Sequence, residues 1–361
     1  MHYRTFTKML LPVLFFFTGA GTFTLTAQTS IPFDSKVVTG KLENGLTYYI
    51  RTNKKPARRV ELRLVVNAGS ILEDPDQLGL AHMTEHMAFN GTKNFKKNDI
   101  VSYLQEIGVG FGNDLNAYTS FDETVYILPI PTEKKGNLEK GFQILEDWAH
   151  QITFNDEDID EERPIILEES RLGKGASERM FRKILPGLFA GSRYADRLPI
   201  GKDSIIRTFP HDAIRRFYRD WYRPNLMAVI VVGDIAVADA EALIRKHFSG
   251  LKNPAGQRER FYAEVPPYTN NEVMIVTDAE ATGKTVSINY PAFREAPPRT
   301  LEEYRTSIVR RLFTRMFNQR LQELTQQAIP PFNGAGSSFG SYARGYNAFS
   351  CLLYTSPSPR D

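Results

Sequence analysis

Two imidazoles four residues apart with a carboxylate between them are the side chains of this sequence best spaced for chemistry: His82-Met83-Thr84-Glu85-His86. The stretch Leu80 to Phe89 reads as a helix, and residues i and i+4 share one helix face. Both rings can therefore reach one ion, with Glu85 projecting beside them. Zinc accepts neutral imidazole and carboxylate in tetrahedral sites that leave a fourth position for water. It brings the pKa of that water to about 7, and a neighbouring carboxylate can take the proton. This is what metal-assisted hydrolysis of an amide requires. Two surface histidines on an amphipathic helix would spell the same five letters, so the flanks matter. Of the remaining histidines, His150, His211 and His247 have no partner at ligand spacing and read as surface or packing residues.

The rest of the composition narrows the choice. A net charge of +3 argues against a nucleic-acid binder driven by bulk charge. Hydrophobic residues at 42% and aromatics at 12% are ample for a packed core. One cysteine excludes a disulfide framework and any thiolate cluster, so a metal must be held by His and carboxylate. At 361 residues the chain has room for two domains or three.

Both ends fall outside the expected folded body. Arg4 and Lys8, the apolar run Met9 to Phe17, and small and polar residues up to Ala27 form a secretory-signal pattern over residues 1–27. No other apolar run reaches the ~18 residues of a membrane span. The mature protein is therefore expected to be exported, to the periplasm or the exterior, without a membrane span. Residues 351–361, from Cys351 to Asp361, have no hydrophobic period and resemble a translated library-preparation adaptor. A non-native tail is expected there, with the natural chain continuing past Ser350.

Between the ends the pattern is that of an α+β protein. Val37 to Val66 alternates like paired strands around an Asn44-Gly45 turn. Asn98 to Ile107 and Leu138 to Ile152 have helical periodicity, and a long helix is expected from Asp156 through Leu188. Leu226 to Val232 reads as a strand buried on both faces, and Ala236 to Phe248 as a helix. Residues 252–268, rich in Pro and Gly, read as a linker. Beyond them strands are expected at Glu272–Val276 and Thr285–Tyr290, a helix at Leu301–Gln327, and a flexible loop at Gly334–Gly340.

The flanks of the five-residue motif decide its reading. Gly79-Leu80-Ala81 before it and Met87-Ala88-Phe89-Asn90-Gly91-Thr92 after it resemble the inverted zinc motif of the insulinase/pitrilysin metallopeptidases. The resemblance runs from about Val37 to Ser350. It implies an antiparallel sheet packed with helices over residues 28–251, then the start of a second domain of similar type over 269–350. It also implies that His82 and His86 bind one zinc ion and that Glu85 is the catalytic base. The family's third ligand is a later glutamate, preceded by another seven residues earlier. Glu162-Arg163-Pro164-Ile165-Ile166-Leu167-Glu168-Glu169 matches that segment. Glu169 is thus the implied ligand, with Glu168 as competitor, and Glu162 the carboxylate that orients a ligand. The interval from His86 to Glu169 is longer than in short family members.

Leu115-Asn116-Ala117-Tyr118-Thr119-Ser120 resembles the family's substrate-pairing strand edge, which implies Asn116 and Ala117 as substrate contacts. The implied activity is endopeptidase cleavage of peptides or unfolded polypeptide. The alternative is a non-catalytic family subunit acting as a scaffold, a class that loses the ligands or the base. In the two-half enzymes an arginine and a tyrosine from the far half help hold the substrate. This sequence is therefore expected to need a C-terminal half or partner subunit, and to bind zinc but cleave poorly alone.

Overall fold

The computed structural model describes residues 29–110 and 116–355. The expected signal segment, residues 111–115 and the last six residues of the expected tail lie outside the described residues. The first sheet contains β1 (Val37–Lys41), β2 (Thr47–Thr52), β3 (Arg59–Val66), β4 (Asn116–Thr119), β5 (Thr124–Pro131) and β6 (Met227–Gly233). Their order is β1-β2-β6-β3-β5-β4. All pairs are antiparallel except β2 with β6. The alternation in Val37 to Val66 is therefore real, but β2 and β3 are not neighbours. A strand from 160 residues later lies between them.

Alternation along β3 buries Val60, Leu62, Leu64 and Val66 and leaves Glu61 and Arg63 half-buried. The buried face packs against helices of the first unit. Among the described residues nine helices are numbered in chain order: α1 (Leu80–Met87), α2 (Asp99–Glu106), α3 (Asn137–His150), α4 (Asp156–Gly173), α5 (Ala176–Leu188), α6 (Asp203–Thr208), α7 (His211–Trp221), α8 (Val237–Phe248) and α9 (Leu301–Thr325), the last beside the second sheet. α3 presses on the sheet so closely that a Cβ at Gly141 would stand 2.8 Å from Ile130 and 3.1 Å from Leu62. α8 reaches β2 through a bond of 2.7 Å from the Tyr48 hydroxyl to Glu241. Only this face is covered. Hence β6 buries Met227, Val229 and Val231 fully but Ala228, Ile230 and Val232 only in part, unlike the strand buried on both faces expected above.

The helix expected from Asp156 to Leu188 is two helices. Gly173 and Gly175 flank the break at Lys174, where the backbone leaves the helical ladder. Residues 252–283 contain no helix or strand, yet they lie along the first unit. Arg258 pairs with Asp74 at 2.9 Å, Arg260 with buried Asp122 at 3.1 Å, and the Tyr268 hydroxyl donates to the Leu188 carbonyl at 2.9 Å. No strand forms at Glu272–Val276. Val273 and Ile275 are 87% and 88% exposed with no strand to pair with, and a lone extended segment has no ladder to hold it.

A second sheet of four strands follows: β7 (Lys284–Asn289), β8 (Phe293–Arg294), β9 (Gly334–Ala343) and β10 (Tyr346–Thr355). The glycine-rich stretch expected to be a loop is strand β9. It pairs with β10 across a tight turn in which Gly345 has φ +74°. The partner strand supplies the hydrogen bonds that small side chains cannot replace by packing. β10 runs on to Thr355, so residues 351–355 belong to this sheet. No helix among the described residues is long and apolar enough to cross a membrane.

Candidate metal centre

α1 carries the five-residue motif on a buried helix, with Leu80, Ala81, Met83 and Met87 in the core. That apolar side fixes which way His82 and His86 point. α3 holds the far end of α1, where the Trp148 indole donates to the Ala88 carbonyl at 2.9 Å. The chain leaving α1 is tied down by Asp147, fully buried, which accepts from Thr92 at 2.5 Å and the Asn94 amide at 2.7 Å. α4 crosses beside α1 and brings its acidic face to the two rings. Arg163 anchors α4 by donating to the carbonyls of Ile206 and Phe209, both at 2.8 Å.

His82 Nε2 and His86 Nε2 stand 3.7 and 3.6 Å from one oxygen of Glu169. The three donor atoms lie within 4.8 Å of one another, and this is the metal-competent cluster among the described residues. Donors on a tetrahedral zinc with bonds of about 2.0–2.1 Å stand about 3.4 Å apart. Two imidazole nitrogens and one carboxylate oxygen at these separations fit such an ion. Glu168, the competing residue, is turned away and held by Arg171 at 2.7 and 2.8 Å.

Glu162 is one turn-pair earlier on the same face of α4 and is buried. Its Oε1 is 2.8 Å from His86 Nδ1, and its Oε2 accepts from the Asn90 amide at 2.5 Å. A carboxylate on Nδ1 leaves Nε2 unprotonated and aimed at the cluster. Asn90 is visible in the flanking sequence without a role; it lies three residues past the end of α1, where no helical spacing singles it out.

Burial, followed by the charge of His86, pulls His82 down to about 4, so its ring is neutral near neutral pH. For His86 burial pulls down too, but the bond to Glu162 and the surrounding carboxylates win and raise it. Glu162 shows the converse, its burial outweighed by His86 and Asn90, so it is lowered. Glu85 is raised, chiefly by burial, against a bond from Thr119.

That bond is 2.7 Å long, from the Thr119 hydroxyl to Glu85 Oε2. Thr119 closes β4, the edge strand of the first sheet. The Asn116–Thr119 register on β5 leaves the other side of β4 without a neighbouring strand among the described residues. Asn116 is exposed, and its side chain accepts from the Ala117 amide at 2.9 Å. An open groove of about 820 Å³ begins at Glu169 and runs past Ile165, Leu172 and Arg182. Two other histidines lie away from the cluster: His211 faces Asp160 at 2.9 Å, and His247 lies between Glu146 and Glu139 at 2.7 and 3.0 Å.

Residues 48–186 match the model of Insulinase (Peptidase family M16), and residues 208–360 match Peptidase M16 inactive domain. The crystal structure of the first half of the periplasmic protease PqqL from Escherichia coli superposes with a TM-score of 0.82 at 33% identity, covering 91% of this chain and 70% of that one. The chain belongs to the insulinase family of peptidases.

Among curated insulinase-family relatives, "Probable zinc protease PqqL" of Haemophilus influenzae is 35% identical over 320 residues, covering 88% of this chain and 34% of that protein. "Zinc protease PQQL-like" of Arabidopsis thaliana is 36% identical over 297 residues, covering 81% and 31%. The chain thus spans about a third of the length of these relatives. The family's fold, an α+β unit followed by a second one, is the architecture described above.

Proposed function

We propose that this chain is the catalytic part of a zinc-dependent endopeptidase that cleaves peptides or unfolded polypeptide segments. The observation that carries the reading is the placement of buried Glu85 beside the His82–His86–Glu169 donor set, with one of its oxygens already engaged. His82, His86 and Glu169 would hold one ion. Zinc bound there supplies Lewis-acid charge for a scissile carbonyl and acidifies water.

The chain's own residues do the rest. Thr119 occupies Glu85 Oε2, which leaves Oε1 to take a proton from the attacking water and return it to the departing amine. Glu162 keeps the proton of His86 on Nδ1, so that Nε2 stays a donor of electrons. The free edge of β4 offers main-chain groups to an extended peptide, and a substrate carbonyl would displace Asn116 from the Ala117 amide. Pairing of this kind reads backbone and demands little of sequence.

The named relatives are zinc proteases about three times longer, which supports a further C-terminal half or partner subunit as part of the working enzyme. That the Escherichia coli relative is a periplasmic protease supports an exported protein. The test is metal content and cleavage of a quenched peptide, on a chain extended to the relatives' length, for wild type and Glu85→Gln. Expected is one zinc in each, with turnover in the variant reduced about 10²–10⁴-fold. Zinc in both with no cleavage by wild type would support the scaffold reading. Absence of zinc would overturn the metal centre.

A further inference from the structure

Glu73 is a carboxylate with no exposed surface that the chemistry above does not use. It follows a short turn, Ser70–Leu72, and reaches forward to the start of the metal-binding helix. Its Oε1 accepts from the amides of Gly79 at 3.0 Å and Ala81 at 2.8 Å. These are orphan donors of a helix N-terminus, and the residue at the cap position, Gly79 at φ +103°, has no side chain to satisfy them. Leu80 and Ala81 are buried, so water does not serve either.

The two metal-cluster imidazoles are oriented differently. His86 is aimed by Glu162 on its Nδ1. His82 Nδ1 is buried without a hydrogen-bond partner among the described residues. The aim of the His82 ring must therefore come from the backbone that carries it, and the amide immediately before it is the one Glu73 holds. Glu73 is itself fixed: its main-chain oxygen accepts from Arg193 at 2.6 Å and Arg197 at 3.2 Å. The preceding turn is bonded to the β4–β5 turn, Ser70 amide to the Ser120 carbonyl at 3.2 Å and Ile71 amide to the Phe121 carbonyl at 2.8 Å. That turn follows Thr119, the residue that holds Glu85.

We propose that Glu73 is a positioning residue that clamps the first turn of the metal-binding helix and sets the reach of His82, which has no orienting partner of its own. The inference rests on the metal-centre reading and adds to it the residue that aligns the His82 side of the site with the β4 side. Only an acceptor at the Oε1 position is required. Burial pushes the Glu73 carboxyl up to about 8, so a neutral amide of the same shape is a close replacement. Alanine removes the acceptor and strands two buried amides. Aspartate keeps the carboxyl but is one methylene short.

The experiment measures zinc affinity by chelator competition, the cobalt(II) absorption spectrum, and melting temperature for wild type, Glu73→Ala, Glu73→Asp, Glu73→Gln and His86→Ala. Expected are zinc binding weakened at least tenfold and an altered cobalt spectrum in the Ala and Asp variants, with Gln within threefold of wild type on both. Should Ala fail to fold, the contrast of Asp with Gln decides. Folded Ala or Asp variants with wild-type zinc affinity and cobalt spectrum overturn the clamp; if His86→Ala loses zinc in the same series, the metal centre stands without it. A wild-type chain that takes up no zinc overturns both.

Discussion

A histidine ligand is only as good as what holds its second nitrogen, and this site treats its two histidines unequally. His86 has Glu162, which in turn has Asn90, a relay of three polar side chains with the carboxylate buried at its centre. Removing the charge at its centre should be felt at the metal rather than in the fold. Glu162→Gln is expected to weaken zinc binding about 10–100-fold, the range typical of such outer partners. Its melting temperature without metal should stay close to wild type. Chelator competition and a thermal melt of metal-free protein check the two halves of this statement. Equal zinc affinity in the variant would show that the ring needs no carboxylate to aim it.

At the scale of elements, the site depends on three pieces of chain meeting with little tolerance. α1 supplies His82, Glu85 and His86, α4 supplies Glu162 and Glu169, and β4 supplies Thr119. The start of α1 is packed against backbone from the α5–α6 connection. A Cβ on Gly201, at φ +72°, would lie 2.3 Å from Gly79 Cα and 2.4 Å from the Leu78 carbonyl. Neither atom is the movable end of a side chain. Gly201→Ala is therefore expected to cost more than about 1 kcal/mol in denaturant unfolding. It should also weaken zinc binding, because the displaced backbone is that of the metal helix. A variant as stable as wild type would mean that this contact relaxes freely.

Across the whole molecule, the two units are finished to different degrees. The first has a continuous core from Leu46, just before β2, to Phe248 on α8. The second leaves α9 with no buried residue, and Leu312 and Met316 are 55% and 69% exposed. An apolar surface of this kind suits contact with further protein, in line with relatives three times the length. We expect the 361-residue chain to bind zinc yet cleave a quenched peptide at least tenfold more slowly than the chain extended to the relatives' length. Parallel kcat/KM measurements at equal zinc loading test this. Equal rates would mean that the first unit and β7–β10 suffice for catalysis.

What the sequence determined by itself was local and periodic. The i, i+4 spacing named His82 and His86, the family resemblance picked out Glu162 and Glu169 seven residues apart, and alternation found β3. Those signals survive because helix and strand geometry is set by neighbouring residues. Tertiary structure decided the rest. It brought Glu169 and not Glu168 beside the two imidazoles, because adjacent residues on a helix point in different directions and only the crossing of α4 over α1 says which faces the rings. It inserted β6 between β2 and β3 and turned a glycine-rich stretch into β9, since strand pairing is a contract with a distant partner that no local pattern records. Thr119 on Glu85, and Glu73 on the amides of α1, came from the same source. A single polar side chain leaves no period in a sequence, and its partner is known only once the chain has folded.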